Sequence, residues 1–209
     1  MRDTGHLLEK EGFSVKVLDL VNMSLSSCYN PFTYLKSDND VQKLVTNLFK
    51  SVTPKGSQSS DPFWDTSASM LLMSLIFLLK YEAPQYEQNF DMVLELLRYA
   101  EVKEDQEDYS SPLDDLFKII EAKNPHHIAV KYYKSYRVGA PRTLQSIQVT
   151  LQSKLEKFNL RGLANLTIED EMELDKLGEK KIALIPSFFI WGIQSLTFLI
   201  LWVNTPSFS

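Results

Sequence analysis

Cysteine is nearly absent from this 209-residue chain: Cys28 stands alone. It permits no internal disulfide and no cysteine-based metal cluster, so a reducing compartment is the simple expectation. In "SLSSCYNPF" it has no basic neighbour in sequence to activate the thiol, and it reads as a packed small residue rather than a nucleophile. Histidine is almost as scarce, with His6, His126 and His127 only. The adjacent pair in "NPHH" would leave a helix in different directions with no third ligand spaced to help, so a solvated helix start is expected there. A phosphate-cradling loop of the form G-x-x-x-x-G-K-[ST] is also missing. "TPKGSQSS" holds Lys55 and Gly56 but lacks the first glycine and the right following residue, and it reads as a surface loop. The opening "MRDTGHLLEKEG" has charge on both sides of a short apolar patch, unlike the long apolar core of an export signal. No catalytic constellation emerges from what is present.

The composition, 44% apolar and 23% charged with a net charge of -5, suits one or two soluble domains, and no repeat or low-complexity segment interrupts it. The periodicity predicts a short helix over 4–11, ended by Gly12, and a strand over 13–20 with Val15, Val17, Leu18 and Leu20. From residue 38 the period changes. Val41, Leu44, Val45, Leu48, Phe49 and Val52 form one helical stripe over 38–52, with Asp38 or Asp40 available as the cap. Asp61 and Pro62 start a second helix whose stretch 68–79 is apolar nearly all round. That stretch is well short of the roughly 20 residues a bilayer requires, and it reads as a buried central helix. Further helices are predicted over 89–100, 111–122, 128–136 and 141–158, the 111–122 helix starting in a capping-box-like Ser111-Pro112-Leu113-Asp114. A loop near Asn165 and an acidic connector then lead to a second strand over 181–185. Strand, long helical excursion, strand is the pattern of an insertion into an α/β domain.

Charge divides the excursion. Residues 82–122 hold Glu82, Glu87, Asp91, Glu95, Glu101, Glu104, Asp105, Glu107, Asp108, Asp114, Asp115 and Glu121 against Arg98, Lys103 and Lys118. Residues 131–161 reverse the sign, with Lys131, Lys134, Arg137, Arg142, Lys154, Lys157 and Arg161 against Glu156, interleaved with Tyr132, Tyr133 and Tyr136. Cations beside aromatics can hold single-stranded nucleic acid by phosphate neutralisation and base stacking. The simpler account, favoured on charge alone, is a basic helix pair beside an acidic neighbour with the tyrosines half-buried between them.

The stretches "MRDTGHLLEKEGFSVKVLDLVNMSLSSCYNPFTYL", "LVTNLF", "TPKGSQSSDPFWDTSASMLL", "EAPQYEQNFDMVLELL", "EDYSSPLDDLF" and "HIAVKYYKSYRVGAPRTLQSI" resemble the conjugative type IV secretion coupling proteins, the TraG family, from residue 1 to about 184. The resemblance implies a mainly α chain: an all-α helical bundle inserted between fragments of a RecA-like α/β nucleotide-binding domain. On that reading 1–37 is a motor fragment, 38–163 the all-α insert, 164–186 the returning connector and strand, and 187–209 an apolar tail. The whole protein would be a hexameric ATPase using ATP and Mg at the cytoplasmic face of the cell membrane. The insert would engage a relaxase, a relaxosome accessory protein or single-stranded DNA, and secretion channel proteins would receive the substrate. The family's phosphate-binding loop and Walker B motif lie outside the matching stretch, so an internal, truncated piece without catalytic, cofactor-binding or metal residues is expected, cytoplasmic or held to the membrane by its tail. The seven cations named above are its candidate contacts.

The tail itself admits two accounts. Residues 187–203 carry no charge, and seventeen residues sit at the lower edge of a bilayer span. A small C-terminally anchored helical interaction protein is therefore the alternative. Yet Asn204 to Phe208 can be encoded so that a shifted frame reads Tyr-Thr-Gln-Leu, and Ile193-Gln194 after Gly192 so that it reads Asp-Ser, both as the resemblance expects. A frameshift before Ile193 is the expectation, and the gene sequence tests it.

Overall fold

The computed structural model describes residues 2–52, 62–103 and 109–187. Helix α1 (Arg2–Lys10) leads into strand β1 (Ser14–Asp19). The turn between them needs glycine. Gly12 has φ 81°, where a Cβ would be strained, and the N–H groups of Gly12 and Phe13 return to the carbonyls of Glu9 and Leu8 at 3.0 Å each. Strand β2 (Ile182–Ser187) pairs with β1 in parallel, Ser14 opposite Ile182 and Asp19 opposite Ser187. On the other edge of β1, Ser27 N–H donates to the Val17 carbonyl at 2.7 Å, Val17 N–H to Ser27 Oγ at 3.3 Å and Asp19 N–H to Ser26 Oγ at 3.0 Å.

Between the two strands the described residues are mostly helical. The helices are α2 (Asp38–Val52), α3 (Pro62–Glu82), α4 (Phe90–Arg98), α5 (Pro112–Lys123), α6 (Ile128–Arg137), α7 (Pro141–Leu155) and α8 (Arg161–Thr167). The chain is mainly helical, and its helical excursion leaves and rejoins one parallel strand pair. Helix α3 is the centre, as expected from a sequence apolar on all sides. Leu71, Leu72, Leu75, Ile76 and Phe77 are wholly buried, and α2, α4, α6 and α7 pack around them. With 21 residues, α3 is longer than its apolar stretch and apolar enough to cross a membrane, yet its inner residues are the core of the helical body. The other helices bury the stripes their period predicts: Val41, Leu44, Val45, Leu48 and Phe49 from α2, Phe90, Val93, Leu94 and Leu97 from α4, Leu113, Phe117 and Ile120 from α5, Leu144, Ile147, Leu151 and Leu155 from α7.

The helix starts follow side-chain chemistry. Asn89 accepts from Met92 N–H, and Ser111 with Asp114 completes a capping box at α5. At α2 the cap is neither Asp38 nor Asp40. Ser37 takes that position, its Oγ accepting from Asp40 N–H at 3.3 Å while the Asp40 carboxylate accepts from Ser37 N–H at 2.8 Å, because an aspartate at the third helical position can reach back to its own cap. One further expectation changes. The loop expected near Asn165 is helical, since Leu163 and Leu166 supply a one-face anchor that fills α8. The acidic connector packs on the body through Met172 and Leu174, which are buried. Asp61, the "TPKGSQSS" loop and the tail from residue 188 lie outside the described residues.

Candidate nucleic-acid and partner interface

Helix α6 carries the first three candidate cations. Its inward face is Ala129, Val130, Tyr133 and Tyr136, three and four residues apart, which leaves Lys131 and Lys134 exposed. Tyr133 lies flat on Phe117 of α5, with ring centroids 3.8 Å apart, and its hydroxyl donates to Asp114 Oδ1 at 2.8 Å. The Tyr136 hydroxyl accepts from Gln148 Nε2 of α7 at 2.8 Å. Burial pushes both phenols up, Tyr136 to about 12 and Tyr133 further with the Asp114 carboxylate adding to it, so both stay neutral. Tyr132 stacks on Phe77 at 5.6 Å and accepts from Gln42 Nε2 at 3.1 Å. Tyr133 and Tyr136 are buried in the bundle and half-buried Tyr132 stacks on its core, so the aromatic half of the nucleic-acid pattern has a structural use.

The cations separate into two groups. Arg137 Nε meets buried Asp114 at 3.0 Å, Lys134 pairs with Glu121, and Lys154 meets Asp65 at 3.0 Å while lying 5.4 Å above the Phe49 ring. The first two pairs join basic α6 to acidic α5, which is the simpler account of the sign reversal. Among the described residues, Lys131, Lys157 and Arg161 make no ion pair. Arg142 is exposed in the first turn of α7, where the helix dipole favours anions, so α7 itself draws no help from a cation there. Lys157 and Arg161 bracket exposed Leu160 between the Glu156–Asn159 turn and α8.

The histidine pair behaves differently from expectation. His126 is exposed, but His127 is buried, its Nδ1 accepting from Ala129 N–H at 3.1 Å to cap α6 and its Nε2 lying 3.3 Å from Glu82. A ring that must accept at one nitrogen and meet a carboxylate at the other is drawn inward rather than left in water. Cys28 is half-buried, and burial, then Glu171, raises its thiol. No three His, Cys, Asp or Glu side chains gather to hold a metal among the described residues.

A second cluster joins the segments that enter and leave the helical excursion. Tyr34 Oη donates to Asp170 Oδ2 at 2.6 Å, Asn30 N–H to Asp170 Oδ1 at 3.2 Å, Leu174 N–H to Tyr34 Oη at 3.0 Å and Glu173 N–H to Asp170 Oδ2 at 3.2 Å. Cys28 and Glu171 are linked twice, and Tyr29 N–H donates to the Leu166 carbonyl at 2.7 Å. Asn30 was findable as the residue before Pro31 at a helix start, whereas nothing in the run "IEDEMELD" distinguishes Asp170 from its neighbours.

A family described as type IV secretory system conjugative DNA transfer matches residues 1–186. No curated protein matches the chain.

Proposed function

This chain belongs to the type IV secretory system conjugative DNA transfer family, and from that premise we propose that its helical body is the substrate-receiving part of a coupling protein. The proposed occupant is the relaxase or a relaxosome accessory protein, docked over Lys131, Lys157 and Arg161. One observation carries the reading: the fold spends Lys134, Arg137 and Lys154 on internal acidic partners, whereas Lys131, Lys157 and Arg161 make no ion pair among the described residues. The parallel pairing of β1 with β2 around the excursion supports an insert carried on an α/β motor of RecA type, with the motor's phosphate loop supplied by another segment. On this reading the chain alone turns over no ATP, it works at the cytoplasmic face of a membrane-associated secretion system, and the channel proteins are further partners. Phosphate release above background by the purified chain would contradict the ATP expectation.

Single-stranded DNA is the second ligand to test, favoured by the same cations and disfavoured by the burial of Tyr133 and Tyr136. The test is a titration of the purified chain with the cognate relaxase, its accessory proteins and a labelled single strand. Replacing Lys131, Lys157 and Arg161 by glutamate should weaken protein docking about tenfold or more while leaving the helical circular dichroism unchanged. No measurable docking by the wild-type chain overturns the reading. Binding only to the single strand, lost steeply between about 50 and 200 mM salt, replaces it with direct DNA contact.

A further inference from the structure

We propose that the segment from Ser26 to Tyr34 is a rigid coupler, which carries a displacement of the β1–β2 pair into the turn between α3 and α4. Its two ends are fixed to different parts of the molecule. At one end Ser26 and Ser27 hold the open edge of β1 through the bonds to Val17 and Asp19. At the other end Asn30 Nδ2 donates to the Gln88 carbonyl at 2.8 Å, and Gln88 Nε2 donates in turn to the Ala83 carbonyl at 2.9 Å, in the turn that follows α3.

The middle of the segment is braced on both sides. Asn30 Oδ1 accepts from Phe32 N–H at 3.0 Å, which fixes the start of the Pro31–Tyr34 turn, and Pro31 locks the backbone angle next to it. Phe32 meets Phe90 edge-on at 5.4 Å, and Phe90 stacks on Phe158 at 4.2 Å, so the same turn is anchored in the first residue of α4. Across the seam Asp170 holds Asn30 N–H and Tyr34 Oη together. Tyr29, Asn30, Pro31, Phe32 and Tyr34 are all buried, and a buried, hydrogen-bonded segment has few alternative conformations to absorb movement. A free hinge would need the opposite: exposed backbone with few contacts.

The inference is independent of what the helical body binds, and it is tested by disturbing one end and observing the other. Amide hydrogen exchange of the full chain is compared between wild type and Ser26→Ala, with Tyr34→Phe as a milder second variant. Ile147→Val in α7 serves as a control for general loss of stability. The expected result for Ser26→Ala is faster exchange of about fivefold both at Val17 and Asp19, which it touches, and over residues 83–93, which it does not. Gln88→Ala should show the reciprocal pattern at Val17 and Asp19. Changes confined to residues 14–30 overturn the proposal. So does a uniform rise over all helices that Ile147→Val reproduces, because strands and helices would then be joined only through global unfolding.

Discussion

Helix α3 places Ala68, Leu71, Leu72, Leu75, Ile76, Phe77, Leu78 and Leu79 in the core, whereas Leu18 is the only buried hydrophobic residue among the described side chains of β1 and β2. The helical body is held by apolar area, each large buried side chain contributing about 1.5–3 kcal/mol. The strands are held by backbone pairing, by the serine pair on one edge and by the Asn30–Tyr34–Asp170 seam. A parallel pair is ordinarily covered on both faces, and two strands alone are marginal. The seam therefore does for the strands what packing does for the helices. It is made of short, directional contacts, where the helices rely on buried apolar area.

The sharpest way to break that contrast is to remove packing at the centre. Phe77→Ala deletes a ring that stacks on Tyr132 and Tyr81 at 5.6 and 6.3 Å. It should cost about 3–5 kcal/mol and shift urea unfolding of the whole helical body, whereas Leu18→Ala should loosen the strands and leave the helical signal largely in place. Equal effects of the two would show that the regions are not distinct. Next in size is Asp114→Ala, which strands Arg137 and the Tyr133 hydroxyl and opens the capping box of α5. About 3 kcal/mol is expected in the same assay, with Asp114→Ala and Arg137→Ala strongly non-additive. Asn30→Ala leaves the Phe32 N–H and the Gln88 carbonyl without their partner and should cost about 1–3 kcal/mol, seen first as protease cleavage near residues 28–34.

The smallest effect is one of pH. Burial, ahead of the hydrogen bonds from Tyr34, Glu173 and Asn30 that oppose it, holds the Asp170 carboxyl above the ordinary aspartate range. The folded chain keeps that proton to higher pH than the unfolded chain does. Its stabilising contribution is complete below the ordinary value and is lost as pH rises through the raised one. The stability difference between wild type and Asp170→Asn should thus shrink as pH rises from the ordinary aspartate value of about 3.9 through the raised one. A difference that grows over that range would show that the hydrogen bonds to the carboxylate outweigh burial, and that the seam is held by charge.

How much of this was legible depended on range. Helices with a stripe of three or more apolar residues announced themselves, and so did Ser111 with Asp114 and Gly12 after α1, because each signal lies within four residues of its effect. Seven-residue α8 offers only Leu163 and Leu166, too little periodicity to separate it from a loop. The cation stripe was visible as composition, but its division was not. Arg137 meets Asp114, Lys134 meets Glu121 and Lys154 meets Asp65 across helix pairs that no local spacing encodes. The same holds for His127, whose inward turn depends on Glu82, and for Asp170, whose partners lie on the far side of the excursion.

The bond between Tyr34 and Asp170, 136 positions apart along the chain, has an evolutionary consequence. Entry to and exit from the helical body lie side by side, so the body is a closed loop as seen from the strands. The entropy of closing such a loop grows only with the logarithm of its length, about 0.6 kcal/mol for a doubling. Segments of the body away from α3 and the seam can therefore lengthen or shorten at almost no entropic cost to the strand pair. Its surface is free to diversify while the part beneath it keeps its shape.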